Sequence, residues 1–479
     1  MESIEKNISR ENVNKKALKA GLFYTICNFL IKALGFLTMP IFTRIMSKSD
    51  IGYFSNLQSW ISILSIICTL ELSSSIALAK YDFKNDINKY ISSNLFLSNI
   101  FTAICYFSIM AFKSKLLPMM GLSDLEFHLC FIYLLVYPGL QLFQQKQQVF
   151  YRYKESTIVS LIGAFISTCL SIVFVLLFSN KYTGRLFGYF SPIIFLNLLL
   201  CLFLYIRGKC INPKYWKYAL VISVPIIFHM AAGFALSTSD RLMITHFCGP
   251  EDNAYYSVAY SVSSIVQLLW LSVNSALAPW SIDQMDAKNY KSLKKITSNI
   301  LLIFGVVCIL YSLVSPELLL LMGGRGYYSA SRIIPLIICG CIFQAAYTFY
   351  VNAETFLKKH ILISIATITS ALINVGLNFV FIPLFGYEVA ALTTLIGYLC
   401  LFLIHFTFLV IMKKQWWFNT SFIFLFLLFS LCFTLLMSFL IDDVFKRYIL
   451  LVLFILLVVV VTIFNKTTIA NLVNSLRKK

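Results

Sequence analysis

Charge is scarce in this chain. Asp, Glu, Lys and Arg together make up 12% of its 479 residues, roughly half the share a soluble domain carries. That shortage excludes a water-soluble globular fold. The five histidines (His128, His229, His246, His360 and His405) are dispersed, so neither a metal site nor a nucleophile–base pair can be built on imidazole. Of the 13 cysteines only Cys339 and Cys341 stand close together, and no spacing for zinc or iron–sulfur ligation occurs. They read as buried structural residues. No metal, cofactor or catalytic group is expected.

What the chain has instead is hydrophobic residues, 59% of the total, gathered into long runs. A bilayer core of roughly 30 Å takes about 20 apolar residues in a helix. The runs place spans near 20–41, 53–75, 92–112, 127–148, 157–178, 186–206, 218–238, 256–278, 296–314, 333–353, 361–383, 389–411, 418–440 and 447–465. They are continuously apolar, without the alternation of a barrel wall. The expected fold is an all-α polytopic membrane protein of about 14 transmembrane helices.

Basic residues set the orientation. With the N-terminus cytoplasmic, the inside segments hold 27 of the 39 basic residues and the outside loops 11, with Lys32 inside the first span. Both termini are therefore expected in the cytoplasm. The net charge of +19 is mostly this topological signal, met by anionic headgroups, and nucleic acid is not implied. The basic N-terminus and the apolar run after it look like a secretory signal. No small-residue cleavage site follows, so the run is read as an uncleaved first helix.

The chain also resembles itself at an offset of about 200 residues. Asp50-Ile51-Gly52-Tyr53-Phe54-Ser55 corresponds to Asp252-Asn253-Ala254-Tyr255-Tyr256-Ser257, and Arg44-Ile45-Met46 upstream corresponds to Arg241-Leu242-Met243. Six spans separate the copies, so both have the same orientation. The repeat implies two pseudo-symmetric six-helix lobes about an axis along the membrane normal, with a cavity between them. The expected organisation is a cytoplasmic tail (1–19), an N-lobe (20–210), a C-lobe (211–414), two further helices (415–466) and a second cytoplasmic tail (467–479). Two lobes suit alternating access. A membrane polymerase is the rival reading, but every expected outside loop is short and lacks a His/Asp/Glu cluster.

Ionisable residues at membrane depth are candidates for function. Lys32 in span 1 and Glu71 in span 2 read either as a charge pair holding two helices or as sites for an anionic headgroup and for a proton or cation. Arg44 and Arg241, near the outer ends of spans 1 and 7, either snorkel to headgroups or touch substrate. Asp240 beside Arg241 forms a local cap or an ion site. Glu354 sits in the cavity or at the cytoplasmic interface. Gln141, Gln144, Gln145 and Gln148 share one helical face, suited to sugar hydroxyls in a watery cavity or to a cytoplasmic extension of span 4. Asn374 and Asn378 make a similar pair in span 11, suited to the cavity or to hydrogen bonding between helices.

Several strings carry a resemblance. They are Pro40-Ile41-Phe42-Thr43-Arg44 leading to Asp50-Ile51-Gly52-Tyr53; Ser239-Asp240-Arg241 leading to Tyr256-Ser257-Val258-Ala259-Tyr260; Ser315-Pro316-Glu317-Leu318-Leu319 leading to Tyr328; and Asn374 through Asn378 with Ile382-Pro383, Gly386 and Ala390-Ala391-Leu392-Thr393-Thr394. With them the chain resembles the multidrug/oligosaccharidyl-lipid/polysaccharide exporter superfamily, and within it the O-antigen repeat-unit flippases of the Wzx type. Glu388-Val389 departs from that pattern, which usually has an apolar residue and a glycine before the double alanine. Lys32-Ala33-Leu34-Gly35-Phe36 is similar to a string in the first span of lipid II flippases, and Glu71 falls where they have an acidic residue. Thr38 stands where they usually carry a second arginine, which argues against lipid II as substrate.

The resemblance implies a flippase of the bacterial inner membrane that moves an undecaprenyl-pyrophosphate-linked oligosaccharide to the outer leaflet. A drug/cation antiporter of the same superfamily is the alternative. It further implies pyrophosphate binding by Lys32 with Arg44 or Arg241, coupling to H+ or Na+ through Glu71, Asp240 or Glu354, and cooperation with a polysaccharide polymerase and a chain-length regulator. Spans 13 and 14 are expected to offer a groove for the polyprenyl tail.

Overall fold

The computed structural model describes Cys27, residues 29–31 and residues 33–464. Among these residues all regular structure is helical, because hydrocarbon offers no partner for backbone N–H and C=O groups and a helix pairs them within itself. Helix α1 covers 33–45. It is followed by α2 (Lys48–Cys68), a 3-10 turn (Leu72–Ser75), α3 (Ile76–Asp82), α4 (Ile87–Ala111), α5 (Lys113–Met120), α6 (Asp124–Val149), α7 (Tyr153–Leu177) and α8 (Lys181–Gly208). Then come α9 (Pro213–Phe247), α10 (Pro250–Asp286), α11 (Tyr290–Gly323), a 3-10 segment (Arg325–Ile333), α12 (Ile334–Phe356), α13 (His360–Phe385), α14 (Val389–Ile411), α15 (Thr420–Leu440) and α16 (Val444–Phe464).

Twelve helices among the described residues are long and apolar enough to cross a membrane, and they coincide one by one with expected spans 2 to 13. Span 14 is α16. Of span 1, residues 20–26, 28 and 32 lie outside the described residues. Several helices outrun their apolar cores: α9, α10 and α11 have 35, 37 and 34 residues, or about 50–55 Å at 1.5 Å per residue. Hydropathy marks only the lipid-immersed part. The helices continue until polar caps stop them, such as Asn212 before α9 and Asn289 before α11, whose side chains accept from the first-turn amides Lys214 N and Ser292 N.

In the N-lobe α8 packs against α4, α6 and α7, and α2 lies on α6. In the C-lobe α13 packs between α9 and α14, while α12 lies against α10, α11 and α14. Helices α15 and α16 lie on the outside of the C-lobe, on α11 and α12. Arg447 of α16, 1% exposed, fixes this attachment with a bidentate contact to Glu317 of α11, both bonds 2.5 Å, and donates to the Leu313 carbonyl at 2.8 Å. The two lobes meet mainly where α2 lies against α9 and α10.

Candidate functional site

The α2–α10 contact clasps one end of the bundle. A capping box starts α2: the Ser47 hydroxyl accepts from Asp50 N, and Asp50 accepts from Ser47 N. The first turns of α2 and α10 then come together closely. Asn253 donates to the Gly52 carbonyl at 3.0 Å, and the Ser55 and Ser257 hydroxyls are 2.6 Å apart. A Cβ at position 52 would lie 1.7 Å from the Pro250 carbonyl oxygen, so only glycine permits this approach. Around the contact Lys48 reaches the Tyr255 hydroxyl at 2.5 Å, Thr43 donates to the Met322 carbonyl at 2.7 Å and Arg44 to the Leu321 carbonyl at 3.0 Å.

Behind the clasp lies a cavity between the lobes, in two adjoining compartments of about 440 and 390 Å³. Met39, Ile51, Phe54, Arg185 and Ser261 border both. Arg241 lines the smaller compartment, on the same wall region as Gln58 and Ser257, and Gln267 and Ser171 line the larger. The described lining thus has two guanidinium groups, many hydroxyls and amides, and no carboxylate. The Arg185 guanidinium stacks on Phe54 and Phe42 at 3.9 and 4.2 Å from the ring centroids, and Arg241 on Tyr260 at 4.4 Å. Aromatic faces hold a guanidinium without neutralising it, so its N–H edge stays available to an anion.

Arg185 was not singled out from sequence, because it falls at the edge of an apolar run and counts there as a loop charge. The signal was nevertheless present. Asn180 caps α8, so Arg185 already stands in the second turn, and Tyr182, Arg185 and Tyr189 share one face by their i, i+3, i+7 spacing.

The structure distributes the sequence-expected residues over several places. Lys32 lies outside the described residues. Arg241 faces the cavity. Arg44 does not line it: this side chain is exposed and lies in the clasp, also donating to the Pro40 carbonyl at 2.7 Å. Glu71 is not inside a continuous second span. Helix α2 ends at Cys68, and Leu70 and Glu71 take left-handed φ values of 50° and 46° before the 3-10 turn. Two neighbouring apolar and charged residues in that conformation store strain, while the Cys68 carbonyl freed by the break accepts from Ser98 at 3.2 Å. Glu71 itself accepts from Gln141 at 3.3 Å.

None of the four glutamines of the shared face lines either compartment of the central cavity. Gln141 turns to Glu71, Gln144 donates to Ser160 of α7 at 2.7 Å, Gln145 is half-buried and Gln148 is exposed. Asn374 and Asn378 are fully buried inside the C-lobe, not at the cavity. There they join Asp240, which is 0% exposed and lies well inside α9, so it does not cap a loop. Asp240 accepts from Tyr256 at 2.5 Å, from Thr394 at 2.6 Å and from Asn378 at 2.6 Å. Asn378 in turn donates to Asn374 at 3.4 Å and accepts from Thr393. Four helices, α9, α10, α13 and α14, thus converge on one carboxylate. Glu354 is equally buried and away from the cavity, paired across α12 and α14 with His405 Nδ1 at 3.0 Å.

Comparison with known proteins agrees with this architecture. The model of the family described as polysaccharide biosynthesis protein matches residues 17–285, and the MatE model matches residues 225–380. The chain is 24% identical over 471 residues to an uncharacterised membrane protein of Methanocaldococcus jannaschii, covering 90% of this chain and 91% of that one. It is 21% identical over 378 residues to a protein of the Lsg locus of Haemophilus influenzae, covering 75% and 90%. Among solved structures, the lipid II flippase MurJ in an inward closed conformation superposes with a TM-score of 0.70 at 17% identity, over 94% of this chain and 99% of that one. An inward-facing multidrug resistance MATE transporter gives a TM-score of 0.60 at 14% identity, over 80% and 97%. The fold is theirs, and by the span of its family match the chain belongs to the polysaccharide biosynthesis protein family.

Proposed function

We propose that this protein is a flippase for undecaprenyl-pyrophosphate-linked oligosaccharide repeat units, of the O-antigen kind, moving them from the cytoplasmic to the outer leaflet of the bacterial inner membrane. The observation that carries the reading is the cavity: Arg185 and Arg241 face it, hydroxyls and amides surround them, and no carboxylate lies among its described lining. A pyrophosphate with sugars cannot cross hydrocarbon unaided, since each desolvated polar group costs several kcal/mol. Guanidinium groups replace the water around the phosphates and the hydroxyls replace it around the sugars. The same lining repels organic cations, which disfavours the antiporter reading. The fold shared with a lipid II flippase supports transport of a lipid-linked cargo.

In this reading the N-lobe (20–210) and C-lobe (211–414) rock against each other, and the clasp between α2 and α10 is the closed outer gate, with both termini in the cytoplasm. Coupling to H+ or Na+ is assigned to Asp240 of α9, whose carboxylate is held by Tyr256 of α10, Asn378 of α13 and Thr394 of α14. The polyprenyl chain stays in lipid. An apolar groove of about 590 Å³ lined by Leu34, Leu37, Ile162 and Phe165 runs between α1 and α7, the helices whose Thr38 and Ser171 line the cavity. This favours the α1–α7 seam over α15 and α16 for the tail.

The test is to locate lipid-linked repeat units with a leaflet-selective label in cells lacking the gene and in complemented cells. Units held on the cytoplasmic leaflet and released on complementation support flipping. Units that reach the outer leaflet unaided, and collect there as single unpolymerised repeats, overturn it in favour of a polymerase.

A further inference from the structure

A second polar cavity lies far from the first. It occupies about 590 Å³ between the last turn of α6, the first turns of α7 and the last turns of α8. Three cations from three separate places in the chain line it: Lys146, Arg152 and Arg207. Glu155 is the single carboxylate in the lining, with one of its two oxygens accepting from Gln147 Nε2 at 2.6 Å, so the three cations leave the recess net positive. Lys146 is oriented by Asn88 at 2.6 Å, and the Arg207 guanidinium lies 4.5 Å over the Phe203 ring. The other walls are aliphatic and aromatic, Ile158, Leu199 and Phe203 among them, and these three are exposed on the bundle surface.

A net positive recess that opens along an apolar wall fits an amphiphile whose head is an anion. Scattered basic residues at this end of the bundle follow from topology alone. Three cations converging on one recess from α6, the α6–α7 turn and α8 do not.

The recess is walled by residues 143–207 only, all on one lobe. Among the described residues none from the other lobe lines it, so the lobe rocking of the proposed function neither opens nor closes it. A site outside the moving interface holds a resident molecule rather than the cargo. We infer that this recess binds an anionic phospholipid, its phosphate on Lys146, Arg152 and Arg207 and an acyl chain along Ile158, Leu199 and Phe203. The charge distribution puts this end in the cytoplasmic leaflet, where a basic pocket between helices is suited to such headgroups.

The test is native mass spectrometry of the purified full chain titrated with phosphatidylglycerol and, separately, with phosphatidylcholine of the same acyl chains. Phosphatidylglycerol should bind the more tightly. The double variant R152Q/R207Q should weaken it about thirtyfold, taking each lost cation near a membrane surface as worth about a factor of five, and should leave phosphatidylcholine unchanged. R152K/R207K, which keeps the charge, should keep the preference, and K291Q/K294Q, away from the recess, should have no effect. Circular dichroism verifies that each variant is folded. Equal affinity for the two lipids overturns the inference, as does equal loss in the K291Q/K294Q variant. Stoichiometric displacement of phosphatidylglycerol by undecaprenyl pyrophosphate also overturns it, since that marks a cargo site.

Discussion

Ser55 and Ser257 occupy the same position in the two halves of the internal repeat, 202 residues apart, and their hydroxyls meet at 2.6 Å. Equivalent residues of two parallel repeats touch only on the pseudo-twofold axis that relates them. The axis therefore passes through the α2–α10 contact, and in the proposed mechanism this contact breaks when the lobes rock apart.

That geometry makes a lock. In a chain carrying Ser55→Cys and Ser257→Cys, and no other cysteine able to react, oxidation should join α2 to α10 and abolish flipping, with reduction restoring it. Leaflet-selective labelling with and without reductant checks this. Full activity of the cross-linked protein would mean that the clasp is not a gate.

Gly52→Ala tests the same contact by excess rather than by bonding. The added methyl falls on the Pro250 carbonyl, and such overpacking costs about 1–3 kcal/mol. The clasp should open, seen as a lower cross-linking yield of the Ser55/Ser257 cysteine pair under identical oxidation.

Arg185→Ala should remove charge-assisted hydrogen bonds to the pyrophosphate worth about 2 kcal/mol, roughly thirtyfold in affinity. Arg185→Lys keeps the charge but loses the flat stacking on Phe42 and Phe54, and should fall between wild type and Ala. Arg241→Ala should resemble Arg185→Ala, with the double variant less than additive because both serve one anion. Binding of undecaprenyl pyrophosphate to purified protein measures all four.

Asp240→Asn retains the hydrogen-bonding shape of the C-lobe network while removing its charge. Flipping in vesicles should then lose its response to an imposed proton or sodium gradient, with the thermal midpoint little changed. Gradient dependence equal to wild type would remove Asp240 from coupling.

Arg447→Met tests the anchoring of α16. It removes the guanidinium from the Leu313 carbonyl and from Glu317, which keeps only the Tyr448 hydroxyl at 3.2 Å among its side-chain donors, a loss of about 2 kcal/mol readable as a lower unfolding midpoint. Glu317 is partly exposed and recovers water in exchange, so the additional change E317L should restore part of the stability.

The spans were legible in sequence because the rule behind them is local: twenty or so apolar residues have one way to satisfy their backbone in hydrocarbon. The repeat was legible for a related reason, since equivalent helix starts need the same turn chemistry in both halves. Arg44 and Arg185 show where that legibility stopped. Both stand near the ends of apolar runs and look alike in sequence. In the structure one lies in the clasp on main-chain carbonyls and the other faces the cavity from two aromatic rings. Asn374 and Asn378 share a face by spacing, but spacing says nothing of which neighbour that face meets. The break after Cys68 had a signal in Thr69, Glu71 and Ser73-Ser74-Ser75, but the apolar run that resumes at Ile76-Ala77-Leu78-Ala79 made the stretch read as one span.

Sequence alone therefore determined the membrane class, the place of the membrane spans, their symmetry and the family. Those properties depend on transfer of residues from water to lipid, which adds up along the chain whatever the packing. The tertiary structure decided which polar groups work together: Arg185 with Arg241, Asp240 with Asn378 and Thr394, Ser55 with Ser257. Successive residues of a helix point about 100° apart, so the azimuth of each helix in the bundle, set by contacts with partners hundreds of residues away, chooses whether a side chain faces cavity, lobe core or lipid.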